Sequence, residues 1–217
     1  MTTYEMPKHG RDSNATAPHA SGSSASPSSQ LALGGRRPAL AARWAMLVER
    51  ARVLDPVTAV VGQVARLVPS GPALKAGPAG HALHPFLTDI PIGFWTSSMV
   101  LDMVGGRGSR KASQRLIGLG LLSTVPTVVT GLAEYQDVDS EQGRVAAVHA
   151  GLNATAAGLY AWSYAVRRRG AHAQGVLLGL AAGTVATASG YLGGHMAFAR
   201  KVGSRDEVFA ESAPATS

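Results

Sequence analysis

The chain has 217 residues, with 20 Lys+Arg against 13 Asp+Glu, 7 His and no Cys. One or two domains fit that length. The absence of cysteine excludes disulfides, iron–sulfur ligation, cysteine-based zinc sites, thiol catalysis and covalently attached c-type haem. Charged residues make up only 15%, below the quarter or so of a typical soluble domain. The mean hydropathy of +0.09 averages a polar beginning with long, nearly uncharged runs, which excludes one homogeneous soluble domain.

Residues 1–38 are rich in Ser, Ala, Gly and Pro, with Tyr4 as their one aromatic residue. Such a segment buries too little apolar area to offset chain entropy, and a disordered tail is expected. It has no charged start followed by an apolar core, so a cleaved signal peptide is not expected. Residues 39–79 form an amphipathic helical segment and loop. Leu40, Trp44, Leu47, Ala51 and Leu54 recur at helical spacing. After Pro56 a second stripe follows, with Val57, Val60, Val61, Val64, Leu67 and Val68. Basic amphipathic helices of this kind either lie on an anionic membrane surface or pack on the protein itself. Pro69, Pro72, Gly71, Gly77 and Gly80 then predict a loop.

Four long segments follow: Phe86–Gly105, Leu116–Ala133, Val145–Val166 and Ala173–Ala199. The second carries no charge, the third only His149 and the fourth only His195. Each approaches the ~20 residues that cross a bilayer core, and each is apolar around its circumference rather than along one stripe. The fold class is therefore all-α. It comprises a four-helix transmembrane bundle over residues 80–203, preceded by the amphipathic segment and the tail, with a C-terminal tail at 204–217. The loops at Arg107–Lys111 and Arg167–Arg169 are basic, which by the positive-inside rule places them in the cytoplasm. The nine Lys+Arg preceding the first span pull the other way. Small residues recur on single helix faces, at intervals of four in Ala182, Ala186, Gly190 and Gly194, and of three or four in Gly120, Thr124, Thr127 and Gly131. Such faces allow close helix approach in lipid, and Pro126 predicts a kink. Tyr160, Trp162 and Tyr164 read as an interfacial aromatic belt.

The histidines carry the functional signal. His81 and His84 precede or open the first span, His149 lies about one turn into the third, and His195 lies near the end of the fourth. In an up-and-down topology these positions share one membrane face, together with Asp89 and Glu134. Polar groups in a bilayer are costly and point to function. Imidazole is a common transition-metal ligand and an axial ligand to haem. His84, His149 and His195, with His81 as a fourth, are the candidate ligands for haem b. A three-histidine and carboxylate set would instead suit zinc or copper. Asn153, four residues beyond His149, shares its helix face and can orient the ring. Asp89, Glu134 and Asn153 are the supporting or proton-handling candidates, with Asp89 and Asp102 also readable as helix-end caps or solvated groups.

Four blocks in order, Gly80-His81-Ala-Leu-His84-Pro85 through Trp95, Thr130-Gly131-Leu-Ala-Glu134-Tyr135, Val148-His149-Ala-Gly-Leu-Asn153 and Ser189-Gly190-Tyr-Leu-Gly193-Gly194-His195, resemble the bacterial membrane family "domain of unknown function 2231". The resemblance covers roughly Gly80 to Gly203. It implies a four-helix integral membrane protein. Some members are fused to Rieske-type iron–sulfur domains, which implies electron transfer; here any such redox partner would be a separate protein.

No phosphate-binding loop, HExxH, G-x-S-x-G or paired catalytic carboxylates are present, and independent enzyme activity is not expected. The net charge of +7 sits in tails and short loops without interleaved aromatics, so lipid rather than nucleic acid is the expected counter-charge. The leading expectation is a haem b or metal-binding electron-transfer module in the cytoplasmic membrane. The competing expectation is a non-enzymatic membrane scaffold whose polar cluster fixes helix packing.

Overall fold

The computed structural model describes residues 39–75 and 82–202. The expected tails at 1–38 and 204–217, Gly77 and Gly80 of the expected loop, and His81 lie outside them. The described residues are all-helical, with no strand among them. In chain order the helices are α1 (Leu40–Arg50), α2 (Asp55–Ala65), the short α3 (Pro72–Lys75), α4 (Leu83–Val104), α5 (Arg110–Tyr135), α6 (Ser140–Arg168) and α7 (His172–Gly194). A π-helical turn, His195–Ala199, extends α7.

The long helices α4–α7 form two hairpins, α4 with α5 and α6 with α7, packed on each other through α5/α6 and α4/α7. Each hairpin turn uses a glycine in the left-handed region, Gly106 at φ 62° and Gly170 at φ 87°, where a side chain is disfavoured. Between the hairpins the Asp139 side chain accepts a 2.8 Å hydrogen bond from the Gln142 amide and caps α6. α5 and α7, with their flanking turns, are long and apolar enough on their own to cross a membrane. α5 runs through Pro126 as one helix.

The two hairpins repeat, which no motif announced. His84, Trp95, Ser98 and Asp102 of α4 stand sixty-five residues before His149, Tyr160, Ser163 and Arg167 of α6. Ser113, Gly120, Thr127 and Gly131 of α5 stand sixty-two before Gly175, Ala182, Ser189 and Gly193 of α7. Three of these counterpart pairs meet. The rings of His84 and His149 are 6.3 Å apart, Trp95 stacks on Tyr160 at 4.2 Å, and Asp102 pairs with Arg167 at 2.6 Å. Residues that touch their own counterparts line a two-fold axis, and parallel repeats of this kind place that axis along the helices.

The repeat revises three expectations. Tyr160 is a core residue, buried against Trp95, Ile117 and Ala182, rather than part of a belt; Trp162 is exposed. Asp102 is neither a cap nor solvated. It is buried and bonded by Arg167 and Ser113, with Ser163 in turn bonded to Arg167 and to the Gly175 carbonyl. Many of the small residues seat side chains rather than neighbouring backbones. A Cβ on Gly120 would meet Trp95, on Gly175 Arg167 and on Gly183 Met99, each within 3 Å.

The segment before the bundle packs on the protein. Ala45 and Val48 join Val145 and Leu192 in a small core, flanked by Trp44 and Met196. Arg144 donates to the Glu49 carbonyl and to Asp55.

Candidate functional site

His84 and His149 are held in the same way. His84 opens α4, and its Nδ1 lies 2.9 Å from the Thr127 carbonyl oxygen of α5. His149 lies in α6, and its Nδ1 is 2.8 Å from the Ser189 carbonyl oxygen of α7. A carbonyl can only accept, so each Nδ1 carries the proton and each Nε2 keeps its lone pair. Four residues beyond each carbonyl stands the glycine on which the ring lies. A Cβ on Gly131 would sit 2.8 Å from Cε1 of His84, and one on Gly193 would sit 2.9 Å from Cε1 of His149. Both are below van der Waals contact, so seating an imidazole there requires a glycine four residues beyond the carbonyl that holds it.

The two rings meet edge to face, with planes at 87°. They line a cavity of about 280 Å³ whose wall includes Asn153, Glu134 and Trp95, near the lower bound of small-molecule sites. Ala150, Ala186 and Gly190 add little bulk to that wall. Asn153 Nδ2 is 3.0 Å from His149 Nε2 and donates to its lone pair. Thr88, the counterpart of Asn153, bonds the His84 carbonyl instead, and His84 Nε2 makes no hydrogen bond among the described residues. Oε1 of Glu134 is buried without a hydrogen-bond partner, an arrangement that costs free energy unless something else supplies the bond.

The expected site therefore assembles in part. His84, His149, Asn153 and Glu134 share the cavity. His195 does not join them. Its Nε2 lies 2.8 Å from Oε1 of Glu49, which Arg200 also holds. The Arg200 guanidinium keeps the Glu49 carboxyl below the usual carboxylate range, against the opposing effect of burial, with His195 adding to the shift. Glu49 is 146 residues upstream, in a segment readable as a membrane-surface helix, so the sequence offered no reason to assign it to His195. Asp89 is exposed and lies outside the cavity wall. Among the described residues no group of three or more His, Asp or Glu side chains is placed to hold a metal ion. Tetrahedral zinc or trigonal copper, which need three or four protein ligands, lack that ligand set among the described residues. Two imidazoles with their Nδ1 atoms on carbonyls present Nε2 donors of the kind that transition metals accept.

The reading from residue types missed Thr127, Ser189 and the Asp102–Arg167 pair. The offsets between the two hairpins, sixty-two residues for Thr127 and Ser189 and sixty-five for Asp102 and Arg167, were the signal that would have found them.

No curated protein and no solved structure matches this chain. A model of the predicted membrane protein family DUF2231 matches residues 80–206, which hold both hairpins, the histidine pair and the carbonyl and glycine seats beneath them. The chain belongs to the DUF2231 family of predicted membrane proteins.

Proposed function

We propose that this is a four-pass protein of the cytoplasmic membrane in which His84 and His149 hold one b-type haem, making it an electron-transfer module without an enzyme activity of its own. Four spans are supported by an inverted distribution of side chains. Ser98, Ser113, Thr127, Ser163 and Ser189 are buried between helices, while Leu119, Leu122, Val125 and Val128 of α5 and Leu177 and Leu180 of α7 point outward. Water would reverse that order; hydrocarbon permits it. At ~1.5 Å per residue, the 22 residues of α4 also match the ~30 Å bilayer core.

The histidine pair carries the haem reading. His84 and His149 are the residues that would hold the iron: both line one cavity, and their ring centroids are 6.3 Å apart. Carbonyl bonds to both Nδ1 atoms are the outer-shell contacts that orient ligating histidines and raise their basicity. Haem would supply one-electron redox chemistry. The chain would supply the rest. His84 and His149 present their Nε2 lone pairs, Gly131 and Gly193 fix the ring planes, and Asn153 gives up its bond to His149. Glu134 offers a carboxylate for a proton taken up with the electron. A separate redox protein would be the electron donor or acceptor.

One observation favours a second reading, a scaffold without cofactor: Asn153 already satisfies His149 Nε2. Purification of the full chain in detergent from haem-sufficient cells separates the two. Haem predicts a Soret band that His84→Ala and His149→Ala shift or abolish and that His195→Ala leaves in place. A colourless, folded protein supports the scaffold.

A further inference from the structure

We propose that α1 and α2 form an elbow lying in the headgroup layer of the bilayer, where it binds acidic phospholipid. The inference rests on the membrane-spanning reading above.

The apolar stripe of this segment faces away from the protein. Val57, Val60 and Val64 share one face of α2; all three are exposed, as are Val53 in the turn before it, Leu67 just beyond it, and Leu40 and Leu47 on α1. The contacts with the bundle use other positions: Ala45, Val48, Thr58 and Ala65. A stripe of this size left facing water is unfavourable.

Its depth is set by what holds it. Tyr135 donates to the Thr58 carbonyl at 3.0 Å, and Gln136 donates to the carbonyls of Ala65 and Val68 at 2.9 and 3.1 Å. Arg144 donates to Glu49 and Asp55. These anchors lie at the end of α5 and the beginning of α6, which is the level of the membrane interface. Trp44 of α1 lies 6.1 Å from Tyr191 of α7, and amphipathic aromatics favour that same level.

Charge selects the lipid. Arg43, Arg50, Arg52 and Arg66 are exposed and make no salt bridge among the described residues; the carboxylates of the elbow, Glu49 and Asp55, are taken by Arg200, His195 and Arg144. On α1 the arginines at 43 and 50 flank Leu40 and Leu47. Apolar side chains beside unpaired cations match an acyl boundary beneath phosphate groups.

The chain has no cysteine, so single spin labels can be placed without background. The full chain carrying Val60→Cys, and separately Leu47→Cys, is labelled and reconstituted in phosphatidylcholine vesicles with or without phosphatidylglycerol. Leu122→Cys on α5 reports the spanning reading. The expected result is a several-fold higher ratio of oxygen to nickel-chelate accessibility at positions 47 and 60 when phosphatidylglycerol is present. Reversing Arg43, Arg50, Arg52 and Arg66 to Glu should lose that gain. Nickel access at 47 and 60 with oxygen access at 122 overturns the elbow alone. Dipolar broadening at position 60 overturns it in favour of a second copy covering the stripe. Nickel access at 122 overturns the spanning reading and the elbow with it.

Discussion

Trp95 and Tyr160 stack face to face, with ring centroids 4.2 Å apart and planes at 19°. They occupy the same position in two successive helical hairpins. The histidine pair lies toward one end of this stack and the Asp102–Arg167 pair toward the other, so three pairs of counterparts mark the line where the hairpins meet. The candidate site is thus a consequence of the repeat: two copies of one histidine seat turned toward each other.

The seats themselves are testable. Gly131→Ala or Gly193→Ala places a methyl within 3 Å of an imidazole, closer than packed atoms allow. The ring must shift off its carbonyl, at a cost of about 1–3 kcal/mol from overpacking. The expected outcome is a folded protein with several-fold less bound haem, measured as pigment per chain. Gly151→Ala, where an added Cβ meets nothing within 4 Å, should retain it.

The far end tests the packing. Asp102 and Arg167 have side chains 5% and 2% exposed, so removing one leaves a buried charge alone. Asp102→Ala should cost about 3–5 kcal/mol, whereas replacing both partners with apolar residues of similar volume should be far milder. Thermal unfolding of the two variants in detergent gives the comparison, and equal losses would refute the assignment.

Acid should release α1. Glu49 titrates below the usual carboxylate range, chiefly because Arg200 bonds it, with His195 contributing. A group whose folded pKa is depressed stabilises the fold above its unfolded value and loses that contribution as pH falls through the folded one. Protection of α1 amides against hydrogen exchange should therefore hold at neutral pH and fall in acid. Glu49→Gln should show weakened protection at neutral pH and a flatter dependence.

The all-helical class and the four long segments were legible because hydrophobic runs of bilayer length leave few alternatives. The pairing of His84 with His149 was legible through topology, since in an up-and-down bundle the odd helices begin at the end where the even ones finish. The position of His195 was not. It turns on a π-helical turn and on Glu49, whose partner no local pattern specifies. Val57, Val60 and Val64 show the same limit from another side. Periodicity identified the stripe but not its direction, because lipid and protein core make the same demand on a valine. The glycine pattern had two readings as well, helix contact or side-chain seat, and only the bulk of Trp95, His84 and Arg167 across from it decides.

The most direct measurement is the visible spectrum of the purified full chain together with its haem content. The account predicts one haem per chain, with its absorbance shifted or lost in His84→Ala and in His149→Ala but unchanged in His195→Ala. A folded chain from haem-sufficient membranes with no absorbance above the protein band, or a Soret band indifferent to both substitutions, would contradict it.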